Sequence, residues 1–133
     1  MSKQTDKEMT EYFGFVPQFC KKALPEASHD DQWAVMRDFE LAETVLPNKT
    51  KELIGLAVAA HIKCRYCIHF HTEAAKAFGA TDEEIREACY MGGYTVQMSN
   101  SLTGTQVDLD KFKEEANRAI AHLAQHAEHA PAH

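Results

Sequence analysis

Cys64 and Cys67 form a C-x-x-C flanked by Lys63 and Arg65, and His71 follows four residues after the second thiol. If the chain turns helical here, both sulfurs lie in the first turn, where unpaired backbone N–H groups and the helix dipole favour a thiolate. The dipole contributes only about 0.3 to 1 kcal/mol, less than one pKa unit at about 1.36 kcal/mol per unit. Lys63 and Arg65 add positive potential, and His71, on the same helical face as both sulfurs, can take a thiol proton. Helical neighbours three apart have Cβ atoms roughly 5 to 6 Å apart, whereas a relaxed disulfide wants about 3.5 to 4.5 Å. Such a pair is expected to strain the turn when closed, so it suits a bond that is made and broken. A base needs an orienting partner, and Glu52 supplies one: two antiparallel helices turning near Ile62 and Lys63 bring Glu52 opposite His71. A carboxylate in so apolar a stretch demands a partner of this kind.

The elements that must position these groups are helical. Windows with the alternation of strands are hard to find, so the fold class expected is all-α with about six helices in a single domain over 1–133, its tail fraying from about 127. The spacing predicts a first helix over Lys3 to Phe13, broken by Gly14, and a second over Gln18 to Leu24. Ser28 is expected to cap a helix that carries Trp33, Met36, Phe39, Leu41 and Val45 and stops before Pro47. Asn48 is expected to cap Lys49 to Ile62, a helix apolar almost all round and therefore central. Arg65 to Phe78 follows, stopped by Gly79. Thr81 with Glu84 forms a capping box for a helix reaching about Met98, and Ser99 to Gln106 reads as a loop. Asp108 caps a last amphipathic helix bearing Leu109, Phe112, Ala116, Ile120 and Leu123.

Composition removes several function classes. Across 133 residues, 44% are hydrophobic and 26% charged, enough apolar mass for a core and too much for a disordered chain. Fourteen Lys and Arg against 20 Asp and Glu give a net charge of −6 with no cationic stripe, so nucleic acid is not an expected partner. The apolar stretch from Leu53 to Ile62 is interrupted by His61 and falls well short of the about 20 residues of a membrane span. The opening Met-Ser-Lys-Gln-Thr-Asp-Lys-Glu lacks a secretory apolar run, so a cytoplasmic location is expected.

The spacing E-x11-C-x2-C-x3-H, written by Glu52, Cys64, Cys67 and His71, resembles the alkylhydroperoxidase AhpD-like branch of the carboxymuconolactone decarboxylase family. The likeness extends over Tyr12-Phe13-Gly14-Phe15-Val16-Pro17, Lys51-Glu52-Leu53-Ile54 and Phe78-Gly79-Ala80-Thr81. The resemblance implies an all-helical AhpD-like fold, assembly as a homo-oligomer, trimer or hexamer, and reduction of hydroperoxides without a cofactor. It also implies Cys67 as the attacking thiol, Cys64 as the resolving thiol, Glu52 and His71 as proton relay, and a lipoylated or other dithiol protein as reductant. Tyr66 stands where the best-known peroxidases of the family carry histidine. The same four residues would equally serve a general disulfide reductase or a redox-sensing oligomeric module, whereas lactone decarboxylation needs no thiols.

Plainer readings compete at other positions. Cys64 and Cys67 with His69 or His71 would make a structural metal site, although structural zinc takes ligands converging from separate segments. His69 should face away from the thiols, at the surface or a subunit contact. Cys20 and Cys89 read as small buried hydrophobes. His122, His126, His129 and His133 line one helical face, which reads as solvated. No metal is expected at any of these. Gly92 and Gly93 each cost about 1 kcal/mol in a helix relative to Ala, which implies close helix packing, within the chain or between subunits.

Overall fold

A computed structural model describes residues 1–127. Among these the chain is all-α, without a strand, and its packing divides it into two compact units, residues 1–93 and residues 94 onward.

In the first unit α1 (Lys3–Phe13) starts where the Ser2 side chain accepts from the Thr5 N–H and ends at Gly14, whose left-handed backbone (φ 82°) lets its N–H reach Thr10 O. α2 (Gln18–Ala23) follows, then a single 3-10 turn (Glu26–Ser28) leads into α3 (His29–Val35). Met9, Cys20 and Trp33 form the buried core of these helices, with Phe13, Val16 and Met36 packed around them. The Trp33 indole N–H is satisfied by Glu8, at 2.8 Å, so the largest ring of the core buries no orphan donor.

The helix expected to run from Ser28 through Val45 ends early. Ser28 donates its hydroxyl to Pro25 O instead of capping, the backbone widens into a π turn at Met36–Glu40, and the helix then stops. The chain beyond it is held by side chains of the next helix, α4 (Asn48–Ile62). The Lys51 ammonium donates to Phe39 O, Ala42 O and Thr44 Oγ1, and the Asn48 amide donates to Leu41 O at 2.9 Å. Carbonyls that a longer helix would have used internally are thus taken by α4, and this is why Asn48 does not cap: its side chain points backwards. Val45 is left fully in solvent.

α4 and α5 (Arg65–Ala77) form a tight antiparallel hairpin. Lys63 makes the turn in the left-handed region (φ 57°), and the Cys64 N–H reaches back to Ala59 O. Leu56 and Ala59 on α4 and Ala75 on α5 are almost wholly buried, small and medium side chains that let the two backbones approach. α4 is not buried all round, however: Ile54, Val58 and Ile62, one ridge of the helix, are each more than half exposed. Gly92 faces Ala57, whose carbonyl oxygen would lie 3.0 Å from an added Cβ, so its small size serves packing inside the chain; Gly93 has open space.

α6 (Asp82–Gly104) begins in the expected capping box, Glu84 N–H to Thr81 Oγ1 and Thr81 N–H to Glu84 Oε2. Lys49 adds an ion pair to the same Glu84, and these partners hold its carboxyl below the usual range. The helix runs six residues beyond the expected end at Met98, through residues 99–103, four of which are polar. Polarity alone does not stop a helix; the stop comes at Gly104 and the left-handed Gln106 (φ 54°). In the second unit Asp108 caps α7 (Leu109–His126) by accepting from Lys111 N–H, as expected. Its Leu109, Phe112, Ile120 and Leu123 are exposed. Among the described residues no helix is long and apolar enough to cross a membrane.

Thr81→Ala is expected to lower stability by about 1 kcal/mol through loss of the Oγ1 acceptor for the Glu84 N–H, the Thr81 N–H bond to Glu84 being retained, with Thr81→Ser near wild type. Urea denaturation with an unchanged slope checks this.

Candidate active site

The α4–α5 turn decides where the thiols sit. Cys64 is not inside the first turn of α5, as expected, but is the residue before it, with extended backbone (φ −79°, ψ 94°). A side chain in that position folds back over the first N–H groups, and Cys64 Sγ accepts from Cys67 N–H at 3.3 Å. Cys67 occupies the third helical position, and the two are joined as a disulfide with Cα atoms 5.3 Å apart, inside the ordinary range of about 4.4 to 6.8 Å. Both are half-buried, Lys63 and Arg65 are exposed on either side, and the Arg65 guanidinium lies over the exposed Tyr66 ring.

One turn further along α5 the structure brings His71 to Glu52. His71 Nδ1 lies 2.7 Å from Glu52 Oε2. The Glu52 side chain is wholly buried, whereas that of His71 keeps 20% of its surface. A carboxylate only accepts, so Nδ1 donates to it, and in the neutral imidazole Nε2 is left with the lone pair. The other carboxylate oxygen, Oε1, is buried without a hydrogen-bond partner.

The imidazole fits because α4 has no side chain at residue 55. A Cβ on Gly55 would lie 2.6 Å from His71 Cε1 and 2.8 Å from both ring nitrogens. Sequence reasoning missed this glycine, although a glycine inside an otherwise apolar helix is itself a signal of close approach.

Cys67, His71 and His69 open on a mainly apolar cavity of about 670 Å³, walled by Phe19, Met36, Phe70 and Glu40. His69 is exposed at its rim and does not face away from the site. Glu40, the last residue of the π turn, was also missed: it comes from an element far from the C-x-x-C in sequence. Burial, and then the charge of Glu52, hold its carboxyl above the usual range, opposed by His71 and Lys51. Among the described residues, Glu40, Glu52 and His71 are the group whose donor atoms converge enough, within 4.8 Å of one another, to hold a metal ion. The two cysteines are bonded to each other instead of converging with a histidine. His122 and His126 stack on exposed α7, while His129 and His133 lie outside the described residues. Cys20 is buried in the core, where desolvation pushes its thiol up, and Cys89 is half-buried.

Residues 29–107 match the model of the carboxymuconolactone decarboxylase family, a span that includes Glu40, Glu52, both cysteines and His71. The alkylhydroperoxidase AhpD core of Rhodospirillum rubrum superimposes with a TM-score of 0.70 at 28% identity, over 82% of each chain. A protein of Paracoccus denitrificans described as uncharacterized protein 4 in the cox locus is 38% identical over 65 residues, 49% of this chain and 59% of that relative's length. With its AhpD-core fold and its C-x-x-C pair, the chain belongs to the carboxymuconolactone decarboxylase family.

Proposed function

We propose that the chain is a cytoplasmic cysteine-based peroxidase that reduces alkyl hydroperoxides through Cys64 and Cys67. The observation that carries this reading is a Glu52–His71 pair one helical turn from a C-x-x-C, with His71 and Cys67 opening on one mainly apolar cavity and Glu52 buried behind them. In the dithiol state Cys67 gives its proton to His71 Nε2, and Glu52 offsets the imidazolium charge. The Cys67 thiolate attacks the terminal peroxide oxygen, the O–O bond breaks, and the alkoxide takes the proton from His71, leaving a sulfenic acid and an alcohol. Cys64 then attacks the Cys67 sulfur, the S–O bond breaks, and hydroxide leaves as water with the Cys64 proton. The product is the disulfide present in the structure. A dithiol protein, lipoylated or other, reduces it by two successive thiol–disulfide exchanges.

The apolar walls suit an alkyl tail better than a small polar peroxide. The similarity to the AhpD core supports the same reading. Tyr66, 76% exposed beside Cys67, favours a second one, disulfide reduction without strong peroxidase activity, because a phenol at that position does not supply the imidazole that the best-known peroxidases of the family carry there. A homo-oligomer accompanies either reading: the half-exposed ridge Ile54, Val58 and Ile62 is the surface a second copy would cover.

Stoichiometric organic hydroperoxide should convert reduced Cys20→Ser, Cys89→Ser protein completely to the Cys64–Cys67 disulfide, read by mass spectrometry. Cys64→Ser should stop at a Cys67 sulfenic acid, and turnover that persists in Cys67→Ser would remove the mechanism. Thiols that survive peroxide but exchange with oxidised lipoamide establish the disulfide reductase instead. Gly55→Ala is expected to displace His71 from Glu52, to slow Cys67 oxidation about tenfold or more and to lower stability, since the gain in helix propensity, about 1 kcal/mol, is smaller than the loss of the buried pair. Stopped-flow oxidation rates and thermal melts measured side by side separate the two effects.

A further inference from the structure

Glu52 presents a problem that its bond to His71 does not solve. Its side chain is wholly buried, one oxygen is held by His71, and the other has no partner, a situation that is costly for a carboxylate and rare in folded proteins. A group of the right chemistry that converges on it is Glu40, which has a carboxylate oxygen within 4.8 Å of one of Glu52 and of a His71 ring nitrogen. Two hydrogen bonds of about 2.8 Å meeting at a tetrahedral angle span about 4.6 Å, so carboxylates that converge to this degree are within reach of one bridging water. Glu40 also lines the cavity that Cys67 and His71 open on, which gives its carboxyl access to solvent protons that buried Glu52 lacks.

We propose that Glu40 is a positioning residue: its protonated carboxyl donates, directly or through one water, to Glu52 Oε1 and so holds Oε2 on His71. The proposal rests on the reading of His71 and Glu52 as the relay that activates Cys67. Two carboxylates this close are poorly tolerated when both are ionised, and one shared proton removes the repulsion. Burial and the Glu52 charge favour the protonated form of Glu40, while His71 on α5 and Lys51 on α4 oppose it. The Lys51 ammonium is already engaged by Phe39 O, Ala42 O and Thr44. Arg65, Tyr66 and His69 share the cavity. On the α2 and α3 side, Cys20 and His29 line the neighbouring cavity that Glu40 also reaches, and His29 is anchored by Leu24 O.

The sign follows. Glu40 is protonated at low pH, and as pH rises through its raised midpoint the donor is lost. Glu52 then turns from His71, and a new negative charge faces the Cys67 thiolate, so both effects lower the reactivity of Cys67. Glutamine at this position is a permanent donor that cannot ionise.

The test is the rate of iodoacetamide alkylation of Cys67 in fully reduced protein, localised by mass spectrometry, from about pH 5 to about pH 9. It needs no peroxide, so it stands whether or not the protein is a peroxidase. The ratio of the Glu40→Gln rate to the wild-type rate should rise by about threefold through a single titration, the effect of half a pKa unit on thiolate population. Glu40→Leu, which supplies no donor, should react more slowly than Glu40→Gln at every pH. A ratio that is flat or falls with pH overturns the proposal, because a residue that merely fills space shifts both profiles alike. His71→Asn is run in parallel: if it leaves the wild-type profile unmoved, the relay itself fails and the positioning role falls with it. Should Glu40→Leu not fold, the Glu40→Gln ratio alone decides.

Discussion

The hydrogen bond between Glu52 and His71 is the constraint around which residues 36–77 are organised. A carboxylate taken wholly out of water is tolerated only with a partner, and removing one member of such a buried pair typically costs about 3 to 5 kcal/mol. The hairpin must therefore hold α4 and α5 in one register, since a slip of one residue rotates His71 about 100° away from Glu52. Lys63 in the left-handed region sets that register, and the Cys64 N–H bond to Ala59 O closes it. Gly55 removes the side chain that would occupy the place of the imidazole, at the price of a weaker helix. Buried Leu56, Ala59 and Ala75 then make the close approach of the two helices favourable.

Where the sequence was informative, the information was local or followed from one short loop. Gly14, the Thr81–Glu84 box and the Asp108 cap are satisfied within four residues of themselves, so local chemistry decides them. The approach of Glu52 to His71 was legible because a hairpin has a single free parameter, the turn, and Lys63 stands at it. Glu40 was not legible, since its place depends on a π turn and on Lys51 and Asn48 reaching back from the next helix. No spacing rule links residues 40 and 52. The expected helix through Val45 and the Asn48 cap failed for that same reason: side chains of α4 took the carbonyls. α6 continues past Met98 because Ser99, Asn100, Ser101 and Thr103 weaken a helix without terminating it; Gly104 does that.

The four cysteines show how environment, not residue type, assigns chemistry. Cys20 sits among Met9 and Trp33, where desolvation raises its thiol and keeps it in the form that neither attacks nor binds metal. Cys67 lies at the third position of a helix, amid N–H groups that favour an anion, beside exposed cations and a histidine whose second nitrogen is fixed by a carboxylate. In the proposed mechanism the attacking sulfur is not held in the most buried part of the fold; the acid assigned to tune it, Glu52, is. Burial makes the Glu52 charge strong, because little water screens it. Half-burial at a cavity wall leaves Cys67 open to that cavity. Placing the charge inside and the nucleophile at the edge satisfies both needs, and a helical hairpin does so with two positions nineteen residues apart, one on each arm.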